Sequence, residues 1–109
     1  MTAVRPRLLT KFSKHDIETA FKTAKRVIKT PEIEIRRASQ QLDFGRILVI
    51  APRRVGKASI RNKLKRRLKS IFYEEKLFAK GYDLIILIRP GADQFSFQEL
   101  KALLSQACS

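Results

Sequence analysis

Between Arg53 and Lys69 the chain places nine cations in seventeen residues: Arg53, Arg54, Lys57, Arg61, Lys63, Lys65, Arg66, Arg67 and Lys69. No acid lies among them, so nothing local relieves their mutual repulsion. On a helix at about 100° per residue, Ile60, Leu64, Leu68 and Ile71 fall within roughly 80° of one another. Asn62, Lys65, Arg66 and Lys69 fall on the opposite side, flanked by Arg61 and Lys63. Such a helix buries one face and presents a comb of cations and one amide on the other. Cations at regular rise, with an amide that both donates and accepts, match the needs of a phosphate backbone. Gly56 lets main chain approach a phosphate, and the helix N-terminus that follows adds its own positive end. A charge run is more often a solvated face, but a single-signed amphipathic run after a glycine turn favours nucleic acid. Spacing alone does not separate RNA from DNA.

Other chemistry finds little support. The sequence Gly56-Lys57-Ala58-Ser59-Ile60 lacks the G-x-x-x-x-G-K-[ST] spacing of a nucleotide-binding loop. His15 is the only histidine, near a helix start and without a cysteine partner. The acids are scattered; Glu32 and Glu34 share a strand face, where solvation is a better reading than divalent-ion binding. No nucleophile stands with a base, so no catalytic or metal-binding side chain is expected. Cys108 is the only cysteine, too few for a disulfide framework or a zinc site.

The 109 residues suit one domain, 1–109, with residues 1–10 expected as a flexible tail. A hydrophobic content of 44% is enough for a core. The formal charge of +14 opposes compaction and calls for a polyanionic partner. No stretch nears the roughly 18 apolar residues of a membrane span, and no signal-peptide run opens the chain. A cytoplasmic protein that does not engage a membrane is the expectation.

The comb must be carried by a frame. Ser13 and Asp16 form a helix-start capping pattern, and helical spacing of Ile17, Ala20, Phe21, Ala24 and Ile28 predicts a helix over 14–28, stopped at Thr30-Pro31. Residues 32–36 alternate as a strand, 39–45 read as a hairpin loop, and 46–51 as a deeper strand ended by Pro52. Residues 53–56 form a basic turn with room for a short extra strand. A second helix is predicted over 59–78, closed by Lys80-Gly81, then a strand over 82–89. Ser96 and Glu99 make a capping box for a last helix carrying Leu100, Leu103, Leu104 and Ala107. The order αβββαβα predicts an α+β domain, a mostly four-stranded sheet packed by helices.

Residues 53–69 resemble the signature of the bacterial ribonuclease P protein family. Arg61-Asn62-Lys63 stands at the family's Arg-Asn-Arg core and Lys65-Arg66 at its Lys-Arg pair. Gly81-Tyr82-Asp83, leading into an apolar strand that ends in Arg89, agrees as well. Lys63 and Lys69 stand where the family has arginine, and Ala51-Pro52 where it has Ser-Lys.

The resemblance implies a ribosomal-protein-like α+β fold with a left-handed β-α-β crossover, against the general rule. It implies RNA contact by Arg53, Arg54, Lys57, Arg61, Asn62, Lys63, Lys65, Arg66 and Lys69. It implies a second surface for the 5′ leader of precursor tRNA, at positions that fall on Ile17, Phe21 and Ile35. The partners implied are ribonuclease P RNA and precursor tRNA, with no role for DNA. The implied activity is that of a subunit of an endoribonuclease that removes the leader, with Mg2+ held mainly by the RNA and catalysis in the RNA. The competing classes are a structural ribosomal protein, a stand-alone nuclease and a DNA-binding module.

Overall fold

The computed structural model describes residues 5–109. Its regular elements are α1 (Lys14–Thr23), β1 (Lys25–Lys29), β2 (Ile33–Ser39), β3 (Ile47–Ile50), α2 (Ala58–Glu74), β4 (Tyr82–Ile88) and α3 (Phe97–Ala107). Short 3-10 turns lie at Pro6–Thr10, Arg53–Val55, Leu77–Ala79 and Ala92–Gln94. The four strands form one sheet in the order β1-β2-β4-β3. β1 pairs with β2 and β2 with β4 antiparallel, while β3 and β4 run parallel and are joined through α2. The fold is therefore α+β with a four-stranded mixed sheet and three helices, as expected. Among the described residues no helix is long and apolar enough to cross a membrane.

Several predicted boundaries move. The first helix stops at Thr23 rather than residue 28. Val27 and Ile28 are β-branched, and Ile28 is buried opposite Ile35 in the β1–β2 ladder, which outweighs the helical spacing. The fourth strand is thus β1, and Arg53–Val55 is a 3-10 turn, not an extra strand. Residues 39–45 do not close a hairpin, because β4 lies between β2 and β3. The hairpin is β1–β2, where Thr30 closes the turn by hydrogen bonds with Ile33. The second helix ends at Glu74, with Lys76 in the left-handed conformation that had been expected nearer Gly81. Gly81 does have φ +94°, but it opens β4 after the Leu77–Ala79 turn. The predicted tail is wrong from Pro6 onward: Pro6–Thr10 is a 3-10 turn with Leu9 buried against the core. Residues 1–4 lie outside the described residues. Both capping boxes, Ser13 with Asp16 and Ser96 with Glu99, are formed.

α2 and α3 cover one face of the sheet. Leu64, Leu68, Ile71 and Phe72 of α2 and Leu100 and Leu104 of α3 share a buried cluster with Ile33, Ile35, Leu84, Ile86 and Ile88. Arg37, on the same face of β2, donates to the Ala107 and Ser109 carbonyls at the end of α3. Alternation along the strands turns Glu34, Arg36, Asp83, Ile85 and Leu87 to the other face. There α1 packs on β2, with Ala20 fully buried.

One buried cation holds α1 in place. Arg46 is 2% exposed. Its Nη1 donates to the Lys11 carbonyl at 2.7 Å and to Asp16 Oδ2 at 3.0 Å, and its Nη2 to Gln41 Oε1 at 2.9 Å. Its guanidinium also lies 4.2 Å over the centre of the Phe12 ring. Its backbone N–H donates to Asp83 Oδ1 at 2.8 Å. Gly45, just before it, sits so close to β4 that a Cβ would fall 2.0 Å from the Tyr82 carbonyl oxygen. Only glycine permits that approach without moving main chain.

Candidate nucleic-acid interface

α2 runs from Ala58 to Glu74 with its apolar stripe buried under the sheet. The opposite stripe faces solvent. Asn62, Lys63, Arg66 and Lys69 are exposed and Lys65 is half-buried, so the expected comb is assembled on one side of one helix. Arg53 and Arg54 are exposed on the 3-10 turn that leads into it, and Lys57 is exposed at its N-cap. No acid occurs in the first turn of α2 and no side chain caps it. The positive end of its dipole therefore adds to the field of the lysines and arginines.

Arg61 differs from its neighbours. It is half-buried, and its Nε donates to the Gly56 carbonyl at 3.3 Å. It braces the turn while its remaining donors stay available. Gly56 itself has φ +151°, a conformation that side-chain-bearing residues rarely adopt, and a Cβ there would meet Ile60 Cδ1 at 3.3 Å. The glycine is thus needed to bring the basic turn onto the start of α2.

The second predicted surface is assembled differently. Ile17 and Phe21 are half-buried on the face of α1 that carries Ala20. Ile35 does not join them. It is 0% exposed and belongs to the core beneath α2 and α3, on the opposite side of the sheet. The alternation of Ile33 and Ile35 with Glu34 and Arg36 is the physical reason: one residue along the strand reverses the face. Other residues, not singled out from the sequence, lie on that side of the sheet. Arg36 and Arg89 flank Glu34, and Arg26 and Lys29 oppose Arg36 and Glu34 across the β1–β2 pair. Leu48, Ile50 and Leu87 are half-buried on the same side. The alternation of residues 32–36 could have revealed Arg36, whereas Arg26 and Lys29 were hidden by reading β1 as helix.

Glu34 is a buried counter-charge for two of these cations. Arg36 Nε donates to its Oε2 at 2.6 Å and Arg89 Nη2 to its Oε1 at 3.1 Å. The Arg36 hydrogen bond does most to hold its carboxyl below the ordinary value of 4.5; burial opposes and Arg89 assists. A folded-state pKa below the unfolded one contributes stability that is complete above about 4.5 and is lost as pH falls through the lowered value. Glu34→Gln is therefore expected to melt lower than the parent at neutral pH, with the gap closing as pH falls below about 4.5. Melting curves across that range check it, and a gap independent of pH would contradict it.

Among the described residues no three His, Cys, Asp or Glu side chains converge as a metal cage. The buried acids Asp83 and Glu34 are engaged by Arg46 and by Arg36 and Arg89, and the partly exposed Asp16 also pairs with Arg46. Cys108 is buried, which pushes its thiol up to about 11, far from a reactive thiolate. The surface offers charge, one amide and partly exposed apolar side chains.

Comparison with known proteins bears on the family. The ribonuclease P protein component of Thermotoga petrophila is 41% identical over 49 residues, which span 44% of this chain and 42% of that protein. The one from Streptococcus agalactiae is 24% identical over 89 residues, 82% of this chain and 81% of that protein. The ribonuclease P protein of Staphylococcus aureus superposes with a TM-score of 0.73 at 19% identity, covering 91% of each chain. That of Thermotoga maritima gives 0.70 at 24% identity, covering 99% of this chain and 96% of the other. Such structural likeness establishes a shared fold, and the sequence profile described as Ribonuclease P matches residues 7–109, the whole frame that carries the cationic helix. The chain therefore belongs to the ribonuclease P protein family.

Proposed function

We propose that this chain is the protein subunit of a bacterial ribonuclease P. It binds the catalytic RNA through the outer stripe of α2 and the basic turn before it. Through the α1 side of the sheet it holds the 5′ leader of precursor tRNA. The observation that carries the reading is the division of α2: Leu64, Leu68, Ile71 and Phe72 inside, Asn62, Arg66 and Lys69 outside. A helix split in this way is anchored, so its cations are presented at fixed spacing rather than on a mobile tail.

The reaction is Mg2+-dependent hydrolysis of the phosphodiester at the leader junction, with the metal held by the RNA. The protein lowers the repulsion between two RNA molecules by placing Lys and Arg between them. On the other surface Phe21 supplies an aromatic face for a base, Ile17 packs beside it, and Arg36, Arg89, Arg26 and Lys29 stand where a single strand's phosphates pass. Ile35 has no direct part in this track. It supports β2 from behind.

The test adds the purified chain to a bacterial ribonuclease P RNA and precursor tRNA at low Mg2+. Leader cleavage should rise, and the rise should be larger for substrates with a leader of several nucleotides than for one with a single nucleotide. An RNA whose cleavage is indifferent to the protein would overturn the assignment.

A further inference from the structure

We propose that the groove between the Pro6–Thr10 turn and the C-terminal half of α2 receives one unpaired nucleotide of the RNA partner, its base laid on Tyr73 and its phosphate between Arg7 and Lys69. This rests on the reading of α2 as an RNA-binding face and names a contact within it. The groove has a volume of about 400 Å3 and is walled by Pro6, Arg7 and Thr10 on one side and Lys69, Tyr73 and Glu74 on the other. That is within the range of sites that enclose a small ligand.

Position on the helix is the first argument. At about 100° per residue, Asn62, Arg66, Lys69 and Tyr73 lie within an arc of roughly 60°. Tyr73 therefore continues the outward stripe, about 16 Å along the axis from Asn62. A strand that follows the comb toward the C-terminus of α2 meets the groove directly, with Lys69 belonging to both.

The aromatic is the second. Tyr73 is 39% exposed, one of only three large hydrophobic side chains exposed among the described residues. Its ring is stacked against Phe78, with centroids 6.1 Å apart and planes 24° from parallel. A ring braced on one side is a rigid platform on the other, and stacking is tolerant of base identity. The third argument is charge. Arg7 and Lys69 suit a phosphate, whereas Glu74 at the rim repels one. Its carboxylate suits the amino or imino edge of a base instead. Cations outside, an aromatic within and a lone acceptor at the edge describe a nucleotide better than an apolar peptide.

The experiment uses the full chain bound to a bacterial ribonuclease P RNA and reads both affinity and nucleotide-level chemical probing of unpaired positions. Tyr73→Ala should weaken binding about 5- to 100-fold and restore reactivity at one unpaired nucleotide, leaving the remaining footprint intact. Tyr73→Phe should stay within about twofold of the parent, because the platform is kept. Arg7→Ala, outside α2 and exposed, should weaken binding and lower the salt slope by about 1 unit or less; it carries the test should Tyr73→Ala fail to fold. Wild-type affinity and footprint in Tyr73→Ala and Arg7→Ala, with binding lost in Arg66→Ala, would overturn the groove and leave the α2 face standing. Unchanged binding in Arg66→Ala as well would overturn both.

Discussion

Arg66→Ala combined with Lys69→Ala should weaken binding to a bacterial ribonuclease P RNA by roughly 10- to 100-fold at moderate salt and reduce the slope of log affinity against log salt by about 1.5 to 2. Each side chain is exposed on the outward stripe of α2 and neither contributes to the buried cluster, so the fold should survive. The slope is the more telling reading. Removing two phosphate contacts means two fewer displaced counterions, a quantity that a loss of packing does not mimic. Arg61 is the tempting alternative within the same motif, but its hydrogen bond to the Gly56 carbonyl means that Arg61→Ala also loosens the basic turn. A double variant that keeps both affinity and slope, measured by filter binding across salt concentrations, would remove α2 from the interface.

The second large effect lies away from the comb. Arg46→Ala should cost about 3–5 kcal/mol, since removing one partner of a buried ion pair strands the other. For a protein with about 5–15 kcal/mol in total, that is a large share. It should lower the melting temperature by more than about 10 °C. Asp83 is the partner left behind. It is fully buried, and its Oδ2 has no hydrogen bond, being 3.9 Å from Arg46 Nη2. Burial raises its carboxyl above the ordinary value, with Arg46 pulling the other way. An acid whose folded pKa is raised is penalised when ionised, and the penalty is relieved as pH falls through that raised value. Arg46→Ala removes the guanidinium's share of that pull while keeping the residue 46 N–H, so the variant should recover part of its deficit as pH is lowered from neutral through the raised value. Arg46→Met with Asp83→Asn should recover more at pH 7, because asparagine keeps an acceptor for the residue 46 N–H without the charge. A melting temperature for Arg46→Ala within about 2 °C of the parent would show that the network contributes little.

The Arg46 network also bears on function. Arg46 ties Lys11, Phe12 and Asp16 to the sheet, so it fixes the start of α1 and with it Ile17 and Phe21. The α2 comb is anchored by a separate set of side chains. A partly folded Arg46 variant should therefore bind the catalytic RNA more nearly as the parent does than it assists leader cleavage. The two surfaces, on opposite sides of one sheet, can be separated by mutation because different contacts hold them.

The local sequence was most informative where one element's own residues set its structure. Ser13 with Asp16 and Ser96 with Glu99 announced two helix starts that the fold keeps. The apolar run Leu84 to Ile88 announced the central strand, and the 3.6-residue spacing of Leu64, Leu68 and Ile71 fixed which side of α2 faces out. The comb was legible for the same reason: burial of one stripe determines the opposite one, with no knowledge of what lies beneath. It failed where two elements compete for the same residues. Val27 and Ile28 satisfy a helical spacing, and only the presence of β2 as a partner makes them strand.

By itself, then, the sequence determined the helix faces, the two capping boxes at Ser13 and Ser96, the cationic stripe from Asn62 to Lys69 and the need for a polyanionic partner, because these follow from short-range spacing and net charge. Tertiary structure alone decided that β4 inserts between β2 and β3, that Ile35 turns away from α1, and that Arg26, Lys29, Arg36 and Arg89 share a surface. It also decided that Arg46 is buried among Lys11, Asp16 and Asp83, residues far from it along the chain. Strand order and side-chain facing depend on long-range pairing, whose free energy comes from partners distant in sequence, and no local pattern of charge or hydropathy encodes which partner prevails.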